Sequence, residues 1–82
     1  MQYNEALKRF RKGRNLNQQK ICDILKIPQP QYSRYERGER KLKADQIIAI
    51  CKEFDVSADY LLGLSDIDKK YSNNEQGNSS DI

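Results

Sequence analysis

The feature that most constrains this chain is the stretch from Asn17 to Gly38, NQQKICDILKIPQPQYSRYERG, in which two helix-length segments meet at a break too short for a strand or a crossover. Ile21, Ile24 and Leu25 recur at helical spacing, Ile27 follows the break, and Tyr32 and Tyr35 lie three apart on the second segment. Packing those residues on one another leaves Gln29, Gln31, Ser33, Arg34 and Arg37 facing outward. The expected unit is two short helices around a tight turn, with a polar outer face on the second.

That outer face carries amides and guanidiniums and almost no carboxylate. Such groups fork onto base edges in a DNA groove, so DNA recognition is the leading expectation. Charge supports it. Through Lys43 there are twelve basic and four acidic residues, a balance of +8, and from Ala44 onward three basic and eight acidic, a balance of −5. A polarised chain of this kind suits a polyanion on one side only. The bland reading of any single lysine is a solvated surface residue, but it fits the whole split less well.

The flanks complete an all-α pattern. Helix 1 is expected from Tyr3 to about Lys12 or Arg14, with Asn4 as its cap and Glu5 in the first turn, and with Tyr3, Leu7, Phe10 and Arg14 on one side. Asn17 caps helix 2, and Lys26 takes the turn position where positive φ is expected. Pro28 and Pro30 flank Gln29, which predicts Gln29 as the cap and regular helix from Pro30, ending at Arg37 and Gly38 with Gly38 left-handed. Ile47, Ile50, Cys51 and Phe54 define helix 4 over Ala44 to Phe54, and Ser57 caps a short helix 5 over Ala58 to Leu62. Residues 1–65 thus form one domain, and 66–82, poor in apolar residues, read as a mostly disordered tail.

Composition excludes several classes. With 82 residues there is room for one small domain. No apolar run is long enough for a membrane span and no signal-peptide pattern is present, so the chain reads as soluble and cytoplasmic. Cys22 and Cys51 allow one disulfide or two buried free thiols, and their place inside apolar helical patterns favours thiols. The chain has no histidine, which argues against a metal site and against general acid-base catalysis, and no Gly-rich phosphate loop. No cofactor is expected.

Arg11 on helix 1, LNQQKICDIL from Leu16, YSRYERGER from Tyr32 and VSADYLLG from Val56, in that order and spacing, resemble the Cro/C1-type helix-turn-helix family, the phage-repressor-like or XRE group of bacterial and phage transcription regulators. The resemblance covers about Tyr3 to Ser65. It implies a five-helix DNA-binding domain whose third helix enters the major groove. Carried over by position, the base-reading residues are Gln29, Pro30 and Arg34, with Pro28 and Ser33 nearby. Gln29 suits an adenine edge and Arg34 a guanine edge; Pro30 can only touch a thymine methyl or set backbone geometry. Phosphate contacts fall to Gln18, Gln31, Arg37, Arg40, Lys41 and Lys43. Arg11 and Glu36 match a structural ion pair between the first and third helices. The chain departs from the pattern at Lys26, where glycine is usual, and at Pro28, where a small polar cap is usual.

The expected function is therefore a sequence-specific DNA-binding transcriptional regulator, a repressor or autoregulator that binds a palindromic operator in double-stranded DNA as a homodimer. Tyr60, Leu64 and the start of the tail are the expected dimer surface, unless Leu64 packs back on Tyr60 to close the helix end. The alternative is a protein-interaction module, such as an antitoxin or anti-regulator, whose acidic C-terminal half engages a protein partner.

Overall fold

A computed structural model describes residues 1–69 of the chain. Among these the fold is all-helical: α1 (Tyr3–Gly13), α2 (Gln18–Leu25), α3 (Gln29–Glu36), α4 (Ala44–Phe54) and α5 (Ala58–Leu61). Helix α2 packs on α3 and α4, α1 packs on α3 and α5, and α4 meets α5. Each helix is too short to be stable alone, so the shared core supplies the stabilisation.

The core gathers the expected apolar stripes. Leu7, Phe10, Ile21, Cys22, Tyr32, Tyr35, Ile50, Cys51, Val56 and Leu61 are buried, and Leu42 joins them from the α3–α4 loop. Both cysteines are buried free thiols. Phe10 and Phe54 meet edge to face with centroids 5.6 Å apart, as do Tyr32 and Tyr35 at 6.3 Å. Ile24 is only half-buried and Ile48 is exposed, so both lie at the margin of their stripes.

Two helix starts differ from the sequence expectation. Helix α1 begins at Tyr3 as expected, but its cap lies two residues before Asn4: Gln2 is the cap residue, and its backbone N–H donates to Glu5 Oε1 at 3.2 Å. Asn4 is helical, and its Nδ2 donates to the Glu36 carbonyl at 3.3 Å, tying α1 to the end of α3. At α3, Pro28 rather than Gln29 is the cap, with φ −71° and ψ 150°, and Gln29 is the first helical residue. The Pro28 carbonyl accepts from the N–H groups of Gln31 and Tyr32 at 3.1 and 3.2 Å, which offsets the restraint that Pro30 places on Gln29.

The turns behave as expected. Asn17 caps α2 by accepting from the Lys20 N–H at 2.9 Å, and Lys26 ends it with φ +58°. Gly38 is left-handed at φ +79°, where an added Cβ would press on the Asn4 side chain at 3.2 Å.

The segment 66–69, assigned to the tail by its composition, packs on the domain. The Asp68 carbonyl accepts from the Ser57 N–H at 2.7 Å, and Lys69 makes an isolated antiparallel bridge with Val56. Two arginines of α1 hold it. Arg9 donates to Asp66 Oδ1 at 2.9 Å and to the carbonyls of Tyr60 and Ser65 at 3.1 and 3.0 Å, with its guanidinium 3.9 Å from the Tyr60 ring centroid. Arg14 pairs with Asp68 and donates to the Phe54 carbonyl at 2.6 Å. The rest of the expected tail, 70–82, lies outside the described residues.

Candidate nucleic-acid interface

Helices α2 and α3 are joined by Lys26, Ile27 and Pro28. The left-handed conformation of Lys26 reverses the chain, and its N–H donates back to the Cys22 carbonyl. Ile27 follows with its N–H on the same carbonyl at 3.2 Å and its side chain against the core. Burial of Tyr32 and Tyr35 then fixes the roll of α3 about its axis.

That roll is locked by one buried ion pair. Arg11 Nε donates to Glu36 Oε2 at 2.6 Å and Arg11 Nη2 to Oε1 at 3.1 Å, in a bidentate fork whose side chains are 12% and 5% exposed. Tyr32 Oη donates to Oε2 at 2.7 Å and Gln18 Nε2 to Oε1 at 3.2 Å. Burial alone pushes the Glu36 carboxyl up, but the Arg11, Tyr32 and Gln18 hydrogen bonds outweigh it and hold Glu36 below the usual carboxylate range. Tyr32 is pushed far up, first by burial and then by its bond to the Glu36 carboxylate.

The expected base-reading residues sit together at the start of α3. Pro28, Gln29 and Pro30 are exposed, and Ser33 and Arg34 lie one turn further on. Gln29 Nε2 donates to Gln18 Oε1 at 3.2 Å, and Ser33 Oγ donates to the same oxygen at 2.9 Å. Gln18 therefore bridges the ion pair and the α3 surface, a role that the sequence reading did not contain. Arg34 is exposed, and its guanidinium makes no hydrogen bond or ion pair among the described residues.

The expected phosphate-contacting residues divide. Arg40, Lys41 and Lys43 lie exposed in the α3–α4 loop, beside α3. Arg37 is exposed and pairs with Glu39 at 2.9 Å. Gln31 is half-buried, and its Nε2 donates to Tyr35 Oη at 3.0 Å, while Gln46 Nε2 donates to the same hydroxyl at 3.4 Å. Burial pushes Tyr35 up, yet those two amide hydrogen bonds, helped by the charges of Arg40 and Lys43, bring the phenol below its ordinary value. Gln46, absent from the sequence reading, joins α4 to this edge; its Oε1 also accepts from the Lys43 N–H at 2.8 Å. Only its fixed spacing from a cap position hints at that in the sequence.

After α5, Leu64 is 76% exposed and does not close the helix by packing; its N–H does so by donating to the Asp59 carbonyl at 2.8 Å. Met1 and Ile67 are exposed as well, and Tyr60 is half-buried beneath Arg9. Among the described residues there is no group of three or more potential metal ligands, and no helix is long and apolar enough to cross a membrane.

Comparison with known proteins agrees with this geometry. The helix-turn-helix family model matches residues 7–61. The chain is 43% identical over 60 residues to the uncharacterized HTH-type transcriptional regulator YqaE of Bacillus subtilis, covering 73% of this chain and 52% of that protein. To the uncharacterized HTH-type transcriptional regulator YobD of the same organism it is 31% identical over 64 residues, covering 78% and 57%. It thus spans little more than half the length of these relatives. A crystal structure of a transcriptional regulator from Listeria innocua superposes with a TM-score of 0.69 at 26% identity, over 89% of this chain and 65% of that one. The matched span contains all of α2, α3 and α4 together with the Arg11–Glu36 pair, and on these grounds the chain belongs to the Cro/C1-type (XRE) helix-turn-helix family.

Proposed function

We propose that this chain binds double-stranded DNA sequence-specifically and regulates transcription, with α3 in the major groove. The observation that carries the reading is Arg34. It stands exposed and unpaired among the described residues, one turn from Pro30 on a helix whose roll is fixed by a buried ion pair. A guanidinium so placed is free to fork onto a guanine O6 and N7 edge. Gln29 would meet an adenine, Pro28 and Pro30 would contact the groove wall, and Ser33 would lie alongside. Arg40, Lys41 and Lys43, with Arg37, Gln18 and Gln31 at the margins, would face phosphates and set register rather than read sequence.

The names of YqaE and YobD, both HTH-type transcriptional regulators, support the same reading. The protein would act in the cytoplasm, without catalysis or cofactor. As a homodimer it would span two half-sites of a palindrome, using the exposed Leu64 and neighbouring Met1 near the end of α5. Bound over a promoter, its own included, it would exclude polymerase and so repress. The protein-interaction alternative is not favoured, because Asp66 and Asp68 of the acidic half are engaged by Arg9 and Arg14.

The test is selection from a random duplex pool at about 150 mM salt, where nonspecific phosphate attraction is weakened. The intact chain should enrich a palindrome with half-sites about 10 bp apart, and Arg34→Ala should relax one base position in each half. Enrichment of no sequence by the intact chain would sink the regulator reading.

A further inference from the structure

We propose that Glu39 limits how tightly this chain holds DNA of any sequence, by keeping Arg37 in an ion pair that a phosphate must break. The inference rests on the groove reading above and concerns affinity rather than base choice. Between Asp23 and Asp45 the sequence has six basic residues, Lys26, Arg34, Arg37, Arg40, Lys41 and Lys43, and two carboxylates. Glu36 is buried, so Glu39 is the one carboxylate that this basic stretch exposes.

The end of α3 puts it there. Gly38 turns left-handed at φ +79°, and the N–H groups of Glu39 and Arg40 donate to the Arg34 carbonyl at 2.9 and 3.3 Å. Glu39 Oε2 then accepts from Arg37 Nε at 2.9 Å, and Oε1 from Arg37 Nη2 at 3.3 Å. Pro30, Arg34 and Arg37 are spaced i, i+4, i+7, so Arg37 continues the stripe of α3 that carries Arg34. The Arg37 hydrogen bonds, and then the charges of Arg37 and Arg34, hold the Glu39 carboxyl below the usual carboxylate range.

Both side chains of this pair are more than half exposed, at 55% and 54%. An ion pair in such a setting is weak, and a phosphate can take the arginine from it. The exchange leaves Glu39 unpaired beside a backbone that carries one negative charge per ~1.7 Å of duplex axis. Arg37 releases a counterion from the phosphate it meets, but the stranded carboxylate recruits another. The arginine therefore adds little net binding while Glu39 is present, and without it would count as a full phosphate contact.

The experiment titrates the full chain into two short fluorescent duplexes, one of unrelated sequence and one carrying the palindrome selected as above, at about 50 and 150 mM salt. One added phosphate contact steepens the log–log salt dependence by about 0.9. Glu39→Gln should show that change in slope, with binding about fivefold tighter at 150 mM salt and a further ~2.7-fold gain at 50 mM, by equal factors on both duplexes. Backbone bonds close the end of α3, so the variant should melt with the wild type. In an Arg37→Gln background the same substitution should gain about twofold or less, because only the repulsion of one screened charge is then removed. A gain of equal size in the two backgrounds, or an unchanged salt slope in Glu39→Gln, overturns the proposal. Sequence-specific binding that is indifferent to Glu39 removes this inference alone, whereas the absence of any operator removes the groove reading with it.

Discussion

Replacing Arg11 by Met tests whether α3 is held by charge or by packing. The substitution keeps most of the apolar stem and removes both guanidinium bonds to Glu36, together with the 3.0 Å bond to the Leu16 carbonyl. A carboxylate 5% exposed is left with only the Tyr32 hydroxyl and the Gln18 amide. Breaking a buried pair from one side costs about 3–5 kcal/mol, a large share of the roughly 5–15 kcal/mol that holds a domain folded. At about 4–8 °C per kcal/mol for a domain of this size, the low end alone lowers Tm by roughly 12–24 °C.

The pH dependence separates a charge effect from lost packing. In the wild type the folded-state pKa of Glu36 is depressed, so its contribution is present above the unfolded carboxylate value near 4.3 and is lost as pH falls through the lower folded value. Without Arg11, burial dominates and the folded pKa rises above the unfolded one. Protonation then relieves the buried charge, and the deficit of Arg11→Met should narrow as pH falls from 7 toward 5. Adding Glu36→Gln to Arg11→Met should restore about 2 kcal/mol at pH 7 by removing the unpaired charge. Urea melts at both pH values measure all of this. A loss under about 1 kcal/mol at pH 7, or one that does not change with pH, would refute the reasoning.

Two smaller perturbations probe the turn and the C-terminal segment. Lys26→Gly relieves a left-handed lysine at φ +58° and should raise stability by about 0.5–1 kcal/mol, less than the full strain because glycine also loosens the unfolded chain, as a thermal melt would register. Asp68→Asn removes the carboxylate that Arg14 grips and should cost no more than about 1 kcal/mol globally, yet speed hydrogen exchange at the Ser57 amide, which donates to the Asp68 carbonyl. Unchanged exchange there would mean that the backbone alone holds the segment.

The parts of this molecule that were legible in its sequence are those decided within a turn or two of chain. Helix α4 follows from the spacing of Ile47, Ile50, Cys51 and Phe54, and the left-handed positions at Lys26 and Gly38 follow from where two apolar stripes stop. Cap residues were harder. Asn4 is the better capping residue by type, yet Tyr3 has to turn its hydroxyl to the Leu42 N–H, and starting the helix before Asn4 frees that side chain for the Glu36 carbonyl. Tertiary bonds outweighed local preference. The Arg9 and Arg14 contacts were illegible for a stronger reason: their partners lie 40 to 57 positions away, a pairing that exists only once α1 and α5 have packed. Gln18 belongs to the same class, since its value as a bridge depends on the roll of α3.

Those arginine contacts also change how the charge split is to be read. Asp66 and Asp68 come from the acidic half and sit on Arg9 and Arg14, which takes the +8 of the first 43 residues to +6 where the chain is folded. Arg11 is neutralised inside the fold, and Arg37 shares its charge with Glu39. Arg9, Arg11 and Arg14 are thus structural, while Lys8 and Lys12 of α1 stay exposed. Exposed and unpaired among the described residues near α3 are Arg34 on the helix, Lys26 in the turn before it, and Arg40, Lys41 and Lys43 on the loop after it. A count of basic residues would spread the attraction for a polyanion over α1 and α3 alike. The pairing shifts it toward α3 and its flanking loops, where a phosphate backbone must run if Gln29 and Arg34 are to reach base edges.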